Sequence, residues 1–200
     1  MIKIGITGSI ASGKTTASKI LSHKRGPLFN ADKEVERLYK NKKTISKLRK
    51  KLNIDTKQNF KSTLKKKILN NIKNIKKLEK IIHPIIRGEM KKFSFLHNKK
   101  KIIFFEIPLL IENKLMNYFD VIIFIRSKKK LRLKRFKANG GDIKLFNLLN
   151  GKQFADQIKA KFCDHTVVNE KNLNILKKKL LSIIKLYVWN IFGYRNNRFV

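Results

Sequence analysis

The residues best suited to chemistry lie near the start of the chain. Residues 8–15 fit the pattern G-x-x-x-x-G-K-[ST], with Gly8 and Gly13 at the two glycine positions. The glycines allow a tight turn whose backbone N–H groups converge on one point, and such a turn binds phosphate. Lys14 can reach the outer phosphates of a nucleoside triphosphate, and the Thr15 hydroxyl is a ligand for Mg²⁺. This phosphate loop therefore predicts a site for a magnesium nucleoside triphosphate.

The flanking elements distinguish this site from a chance match to a loose pattern. Ile2, Ile4 and Ile6 alternate with small or polar residues, which is typical of a short strand, and residues 15–22 have a helical pattern. A glycine turn between any strand and helix can match by chance. However, the order strand, glycine loop, helix is the context that the motif requires, so we favour the triphosphate site.

Strands and helices alternate along the rest of the chain. Four further strands are predicted by apolar segments: a short one within residues 26–32, and others at residues 101–106, 120–125 and 163–168. The alternation predicts an α/β fold with a parallel sheet of about five strands, in which ligands bind at the carboxyl ends of the strands. The segments at those ends are residues 8–15, 30–32, 106–108, Arg126 and Asn169.

The segment between the second and third predicted strands, residues 41–98, differs from the rest. Glycine is nearly absent and apolar residues recur at helical spacing, so the segment predicts a helical insertion. Pro84 should kink one of its helices or start a new one. Further helical segments are predicted at residues 127–135, 143–161 and 172–187.

The net charge has two interpretations. The chain carries 49 lysine and arginine residues against 13 acidic ones, a formal net charge of +36, which usually indicates a nucleic-acid or membrane partner. However, 40 of the basic residues are lysine, and asparagine (19) and isoleucine (27) are also frequent. A+T-rich codons encode these residues, and the lysines are spread from end to end. We therefore attribute the charge to genome composition and expect no dedicated nucleic-acid surface.

Other compositional features favour a soluble cytoplasmic protein. The single cysteine, Cys163, allows no intramolecular disulfide, and its apolar neighbours favour a buried strand residue over a nucleophile. The longest apolar run, residues 102–111, is too short to cross a bilayer. We expect no signal peptide, no membrane partner and a monomer. The four scattered histidines predict no metal cluster.

Five segments, in order, resemble signatures of the dephospho-coenzyme A (dephospho-CoA) kinases. The phosphate loop alone marks only a large superfamily, whereas H-P-x-x-R followed by P-L-L-x-E is much more specific. The resemblance extends from residue 1 to about residue 185. Residues 8–16 are similar to G-G-I-G-S-G-K-S-T, residues 30–32 to D-A-D, residues 79–87 to E-x-x-x-H-P-x-x-R, residues 108–112 to P-L-L-x-E, and residues 163–169 to A-D-x-V-I-x-N.

The resemblance implies a three-layer P-loop kinase fold with a helical substrate domain and a helical lid. It implies transfer of the γ-phosphoryl group of ATP to the ribose 3′-hydroxyl of dephospho-CoA, with Mg²⁺, as the last step of coenzyme A biosynthesis. The implied boundaries are a nucleotide-binding core at residues 1–40, 99–126 and 162–188, a CoA-substrate domain at 41–98, a lid at 127–161, and a loosely ordered C-terminal tail at 189–200.

Three residues take catalytic roles under this resemblance. Lys14 holds the triphosphate, Asp32 accepts the proton of the attacking hydroxyl, and Arg135 in the lid stabilises charge in the transition state. Two simpler interpretations stay open. Asp32 could cap the helix that follows it, and Arg135 could lie on a solvated basic helix face.

Nucleotide and substrate contacts are implied in the same way. Thr15 would hold Mg²⁺, and Glu106 and Glu112 could order its waters or fix loops. His83 also has a simpler interpretation, as a packed residue before Pro84. ATP contacts are implied for Gly8, Ser9, Ile10, Ala11, Ser12, Gly13, Lys14, Thr15, Thr16 and Asn169. Substrate contacts are implied for Asp32, Lys61, His83, Arg87, Pro108, Leu109 and Glu112.

Three positions depart from the family pattern. Asn30 stands where the family has aspartate, Lys61 where arginine is usual, and Asn139 where a second lid arginine is expected. Lysine lacks the bidentate grip of arginine on phosphate. The loss at position 139 predicts a weaker lid and reduced turnover, or compensation by Lys134 or Lys137.

Two other classes of function remain open on the sequence alone. Another small-molecule or nucleotide kinase on the same core would share the phosphate loop but should lack the pattern of His83, Pro84 and Arg87. A basic nucleic-acid-binding protein would show steeply salt-dependent binding, but the sequence contains no recognised binding module.

Overall fold

The core of the protein is a five-stranded sheet. The computed structural model describes residues 1–55, 59–71 and 73–192. The order of strands in the sheet is β2-β3-β1-β4-β5; β1 pairs in parallel with β3 and β4, and β4 pairs in parallel with β5. This confirms the predicted α/β fold. The strands are β1 (Ile2–Gly8), β2 (Leu28–Asn30), β3 (Ile102–Glu106), β4 (Val121–Arg126) and β5 (His165–Val168).

Helices connect the strands and divide between two compact units. One unit comprises Met1–Phe29 and the chain from His97 onward, and the other comprises Asn30–Leu96. The helices are α1 (Lys14–Ser22), α2 (Ala31–Leu38), α3 (Lys42–Leu52), α4 (Phe60–Asn70), α5 (Lys73–Leu96), α6 (Lys129–Ala138), α7 (Ile143–Gly151), α8 (Asp156–Lys161) and α9 (Leu173–Phe192), with a short 3₁₀ turn at Met116–Tyr118. Within the described ranges, none of these helices combines the length and hydropathy that a bilayer crossing requires.

Burial on both faces of the sheet explains the uninterrupted apolar strands. All five residues of β3 and the first five of β4 are buried, as is typical of a parallel sheet covered by helices. On one face, Ile6 and Ile123 pack with Leu21 of α1 and Leu180 of α9. Helix α8 contacts β4. The sheet is therefore a rigid base for the loops at its carboxyl edge.

The second unit is built on α5. Helices α2, α3 and α4 each contact α5, and the predicted apolar stripes supply buried residues such as Leu48 and Leu64. Of the two alternatives predicted for Pro84, the start of a new helix is wrong, because α5 runs through Pro84 without interruption, and a kink stays a prediction. Proline removes one helical hydrogen bond, and burial of Ile82 and Ile86 on either side offsets that loss.

Three predicted boundaries are corrected. Strand β5 begins at His165, so half-buried Cys163 lies before the strand and not within it. The residue between them, Asp164, accepts a hydrogen bond from Ile122 N at 2.7 Å through its carboxylate. The helical segment 143–161 is split into α7 and α8 after Gly151. Helix α9 continues to Phe192, beyond the predicted end, and residues 193–200 of the predicted tail lie outside the described residues.

Candidate active site

The phosphate loop joins β1 to α1 through two residues with left-handed backbone. Ala11 has φ of 57° and Gly13 has φ of 95°. Ser12 N donates to Ser9 O at 3.1 Å, which closes a turn within the loop. Alternation of left-handed and ordinary residues turns successive N–H groups to the same side, and this arrangement is an anion-binding concavity. The first turn of α1 has no side-chain cap, so its N–H groups face the same region.

Close contacts at Gly8 and Gly13, and the left-handed backbone of Gly13, favour glycine at both positions of the pattern. A Cβ on Gly8 would lie 2.5 Å from Ile125 O and 2.6 Å from Ser12 Oγ. A Cβ on Gly13 would lie 2.2 Å from Asn169 Nδ2. A larger residue at position 8 would push the loop away from β4, and one at position 13 would displace the Asn169 side chain and strain the left-handed backbone.

Two polar side chains show that the concavity suits phosphate. Lys14 is only 8% exposed, and its Nζ donates to Ser9 O across the loop at 3.2 Å. The Ser12 hydroxyl is buried and makes no hydrogen bond with any described residue. A buried hydroxyl without a partner costs roughly 1–3 kcal/mol, and a phosphate oxygen would satisfy it. The residues present therefore fit a phosphate group.

A carboxylate lies beside the predicted magnesium ligand. Thr15 Oγ1 donates to Glu106 Oε1 at 2.5 Å, and Ser18 Oγ donates to Glu106 Oε2 at 2.8 Å. Hydroxyl and carboxylate oxygens are the ligands that Mg²⁺ prefers. Among the described residues, no group of three or more His, Cys, Asp or Glu could hold a metal, so Mg²⁺ here would also need phosphate oxygens and water.

Arg135 of α6 lies against the phosphate loop. Its guanidinium donates to Ser12 O at 3.4 Å and to Asn169 O at 3.1 Å. Asn169 Nδ2 also donates to Ser12 O, at 2.8 Å. The interpretation of Arg135 as part of a solvated basic face is therefore wrong, and the structure brings together Arg135, Asn169 and the loop. Its catalytic role stays a prediction.

Three further residues contact the loop and were not singled out by the sequence. Arg132 is buried, and its Nη1 donates to Asn150 Oδ1 at 2.8 Å and to Ile10 O at 3.4 Å. Burial lowers the pKa of Arg132, and the charge of Asp156 acts in the opposite direction. Gln153 and Asp156 also reach the loop. No spacing rule connects these residues to a loop more than a hundred positions earlier.

Glu112 forms a buried ion pair. Its Oε1 lies 2.7 Å from Nζ of Lys159 and accepts a hydrogen bond from Phe154 N at 3.0 Å. Nearby, Thr7 Oγ1 donates to Pro108 O at 3.2 Å, and Leu109 is half-buried. The structure thus shows Glu112 linking the segment after β3 to α8, while its predicted substrate contact stays a prediction.

Known proteins place the chain in a family. The family model for dephospho-CoA kinase matches residues 2–174. The chain belongs to the dephospho-CoA kinase family. The dephospho-CoA kinase of Bartonella henselae is 29% identical over 193 residues, which cover 94% of this chain and 98% of that protein. That of Rickettsia prowazekii (strain Madrid E) is 31% identical over 186 residues, which cover 92% and 97%.

A solved structure confirms the predicted kinase fold. The dephospho-CoA kinase from Campylobacter jejuni matches with a TM-score of 0.67 at 24% identity and covers 94% of this chain and 98% of that chain. Together with the family match, this confirms the predicted class of enzyme, a P-loop kinase that binds a nucleotide.

Four of the predicted substrate residues of this kinase, Asp32, Lys61, His83 and Arg87, lie in the second unit, which is described by itself. Asp32 is exposed in the first turn of α2. The interpretation of Asp32 as the helix cap is wrong, because Asn30 Oδ1 accepts from Lys33 N at 2.9 Å. On α5, His83 is half-buried and Arg87, one turn later, is exposed. Lys61 is exposed in the first turn of α4, and the roles of all four stay predictions.

Cys163 is not a nucleophile in this kinase. Burial, together with the negative charges of Asp164 and Glu112, raises the pKa of the Cys163 thiol to about 12, although Lys159 acts in the opposite direction. Only the thiolate is strongly nucleophilic, so a thiol with this pKa stays protonated at neutral pH and reacts slowly.

Proposed function

We propose that this kinase transfers the γ-phosphoryl group of ATP to the ribose 3′-hydroxyl of dephospho-CoA, giving coenzyme A. The observation that carries the proposal is the family match over residues 2–174, which includes a complete phosphate loop. The buried, unsatisfied Ser12 hydroxyl and the close packing around Gly8 and Gly13 support phosphate binding by that loop.

The loop and the predicted lid supply positive potential to the triphosphate. Phosphoryl transfer depends on positioning and on neutralising charge more than on covalent chemistry. The loop N–H groups and Lys14 hold the phosphates, and Arg135, in the lid at residues 127–161, stabilises the charge that develops in the transition state. Thr16 and Asn169 complete the nucleotide contacts.

Thr15 and Glu106 would hold Mg²⁺. Their oxygens are hydrogen-bonded at 2.5 Å, and Glu106 is almost fully buried at the end of β3. When bound, Mg²⁺ neutralises charge on the β- and γ-phosphate oxygens. Ser18 supports this arrangement because its hydroxyl donates to the second oxygen of Glu106 at 2.8 Å.

Asp32 serves as the acceptor of the proton from the 3′-hydroxyl. It is the third residue of the segment similar to D-A-D, and Asn30 already satisfies the helix N-terminus. The side chain is therefore not required as a cap, and a carboxylate can orient a hydroxyl and accept its proton. Further contacts with dephospho-CoA are assigned to Lys61, His83, Arg87, Pro108, Leu109 and Glu112 on the basis of the family motifs.

Release of ADP tests the proposal directly. The purified protein is given ATP and Mg²⁺ with dephospho-CoA, with nucleoside monophosphates or with nucleic acid. We expect ADP release with dephospho-CoA and formation of coenzyme A. Turnover only with a nucleoside monophosphate, or only with nucleic acid, would contradict the proposal.

Two variants test the assigned roles. Lys14→Ala and Asp32→Asn should each lower kcat/KM by about a thousandfold, or ~4 kcal/mol, since each removes charge used in the transition state. Lys19→Ala and Glu36→Gln are matched controls, because both side chains are exposed on the same two helices. Circular dichroism checks that all four variants fold.

A further inference from the structure

The segment between α7 and α8 holds the first half of the phosphate loop. Ile10 N donates to Gln153 Oε1 at 2.8 Å, and Ser9 Oγ donates to Asp156 Oδ1 at 2.5 Å. We define residues 153–156 as the clasp. Gln153 and Asp156 of the clasp thus bind Ile10 N and Ser9 Oγ, and neither group is one of the N–H groups at the start of α1.

Other side chains hold two further backbone groups of the same loop. Ile10 O accepts from Arg132, and Ser12 O accepts from Asn169 and Arg135. The uncapped N–H groups at the start of α1 are left for a ligand. Preorganised donors are effective because no reorganisation is needed when the charged group binds.

The loop needs external support because of Ala11. This residue has φ of 57°, a conformation that is unfavourable for a residue with a Cβ. Its neighbours Ser9 and Ile10 are the residues that the clasp binds. Bonds on the N-terminal side of Ala11 restrict the turn to the observed conformation.

A buried ion pair fixes the clasp itself. Phe154, which follows Gln153, donates its N–H to Glu112 Oε1 at 3.0 Å, and Lys159 lies 2.7 Å from the same oxygen. Lys159 is one turn after Asp156 on α8 and is completely buried. The pair thus holds the backbone between the two polar side chains of the clasp.

We propose that Gln153 and Asp156 are positioning residues that hold residues 9–12 in the conformation that accepts the triphosphate, and that the buried Glu112–Lys159 pair sets the place of this clasp. The inference rests on the proposed function only in taking ATP as the ligand of the loop. It does not depend on which molecule receives the phosphoryl group.

Nucleotide affinity, measured without a second substrate, tests the inference. A non-hydrolysable ATP analogue with Mg²⁺ is titrated into each variant by calorimetry. Gln153→Ala and Asp156→Ala should each weaken Kd by about tenfold, while Asp156→Asn, which keeps an acceptor for Ser9 Oγ, should stay within about twofold of wild type. Gln157→Ala is the matched control, because this exposed neighbour makes no hydrogen bond with the loop among the described residues.

A double-mutant cycle isolates the bond between Ser9 and Asp156. Ser9→Ala and Asp156→Ala remove opposite ends of one hydrogen bond, so their effects on Kd should be clearly less than additive. Purely additive effects, an unchanged Kd in Asp156→Ala, or tighter nucleotide binding would each overturn the inference. The Tm of every variant is also measured, so that a change in Kd caused by partial unfolding is recognised.

Steady-state kinetics separates positioning from general damage. The KM for ATP should rise about tenfold in Gln153→Ala and Asp156→Ala, and the KM for dephospho-CoA should change less than about twofold. Equal increases in both KM values would contradict a role in the phosphate loop. If wild type binds the ATP analogue but does not phosphorylate dephospho-CoA, the proposed function fails while the inference about the clasp stands.

Discussion

The buried pair of Lys159 and Glu112 leads to a quantitative stability prediction. Lys159 is fully buried, and the Glu112 side chain is only 10% exposed. Lys159 Nζ lies 2.7 Å from Glu112 Oε1, but neither Lys159 Nζ nor Glu112 Oε2 makes a hydrogen bond with any other described residue. Glu112 Oε1 also accepts from Phe154 N. The pair is therefore desolvated, but its hydrogen-bonding capacity is only partly used.

The geometry sets the scale of the effect. At the observed 2.7 Å, two unit charges attract by about 6 kcal/mol at an effective dielectric constant of ~20. Desolvation of each ion costs several kcal/mol, so the intact pair contributes about zero net. Lys159→Met removes the attraction and leaves the Glu112 carboxylate buried without a counter-charge. We expect this variant to lose about 4 kcal/mol of the free energy of unfolding.

A neutral double variant should restore most of that loss. Glu112→Gln with Lys159→Met removes both charges but retains an amide oxygen that can accept from Phe154 N. Replacement of a buried ion pair by neutral groups of similar volume is often neutral or stabilising. We expect the double variant to lie within about 1 kcal/mol of wild type.

Thermal unfolding, followed by far-ultraviolet circular dichroism, measures both effects. A loss of about 4 kcal/mol should lower Tm by roughly 8–16 °C in a chain of this length. Lys161→Met is the matched control on α8, because Lys161 is exposed, and its free energy of unfolding should change by less than about 0.5 kcal/mol. An unchanged Tm in Lys159→Met, or a double variant as unstable as the single one, would refute the reasoning.

Three further predictions concern the loop, the lid and the cysteine. Ala11→Gly should raise the free energy of unfolding, measured in urea, by about 0.5 kcal/mol. Glycine adopts the left-handed conformation without steric strain, and this gain exceeds the entropy cost of ordering a more flexible residue. A clear loss of stability would contradict strain at Ala11. Asn139→Arg should raise kcat by about tenfold through a new phosphate contact in the lid, and no gain would count against a lid role for position 139. Cys163 should react with iodoacetamide at pH 8 about a hundredfold more slowly than free cysteine, because its pKa is raised to about 12 and little thiolate is present. Alkylation at the rate of free cysteine would contradict the raised pKa.

The strands and the phosphate loop were predictable because their signals are local. Buried strands such as β3 are uninterrupted apolar runs, and the loop is one contiguous motif whose order and glycines follow from backbone geometry. Boundaries were less predictable. The start of β5 depends on the hydrogen bond from Ile122 N to Asp164, which is 42 residues away along the chain.

Helix continuity was predicted less well for a related reason. Pro84 predicts either a kink or a new helix when only the backbone is considered, but α5 continues through it with Ile82 and Ile86 buried on either side. In the same way, Asp32 and Asn30 are both good capping residues by type. Only the backbone conformation shows that Asn30 is the cap.

By itself, the sequence determined the sheet, the phosphate loop and the resemblance to dephospho-CoA kinases, because these depend on contiguous residues and on their order. The tertiary structure decided which side chains bond with the loop, including Arg132 and the clasp, which no motif marks. Glu106 lies 91 residues from Thr15, and Asp156 lies 147 residues from Ser9. Contacts over such separations arise when packing of the core brings distant segments together, and no local spacing encodes them. Support of the phosphate loop by the clasp is therefore a property of the folded chain.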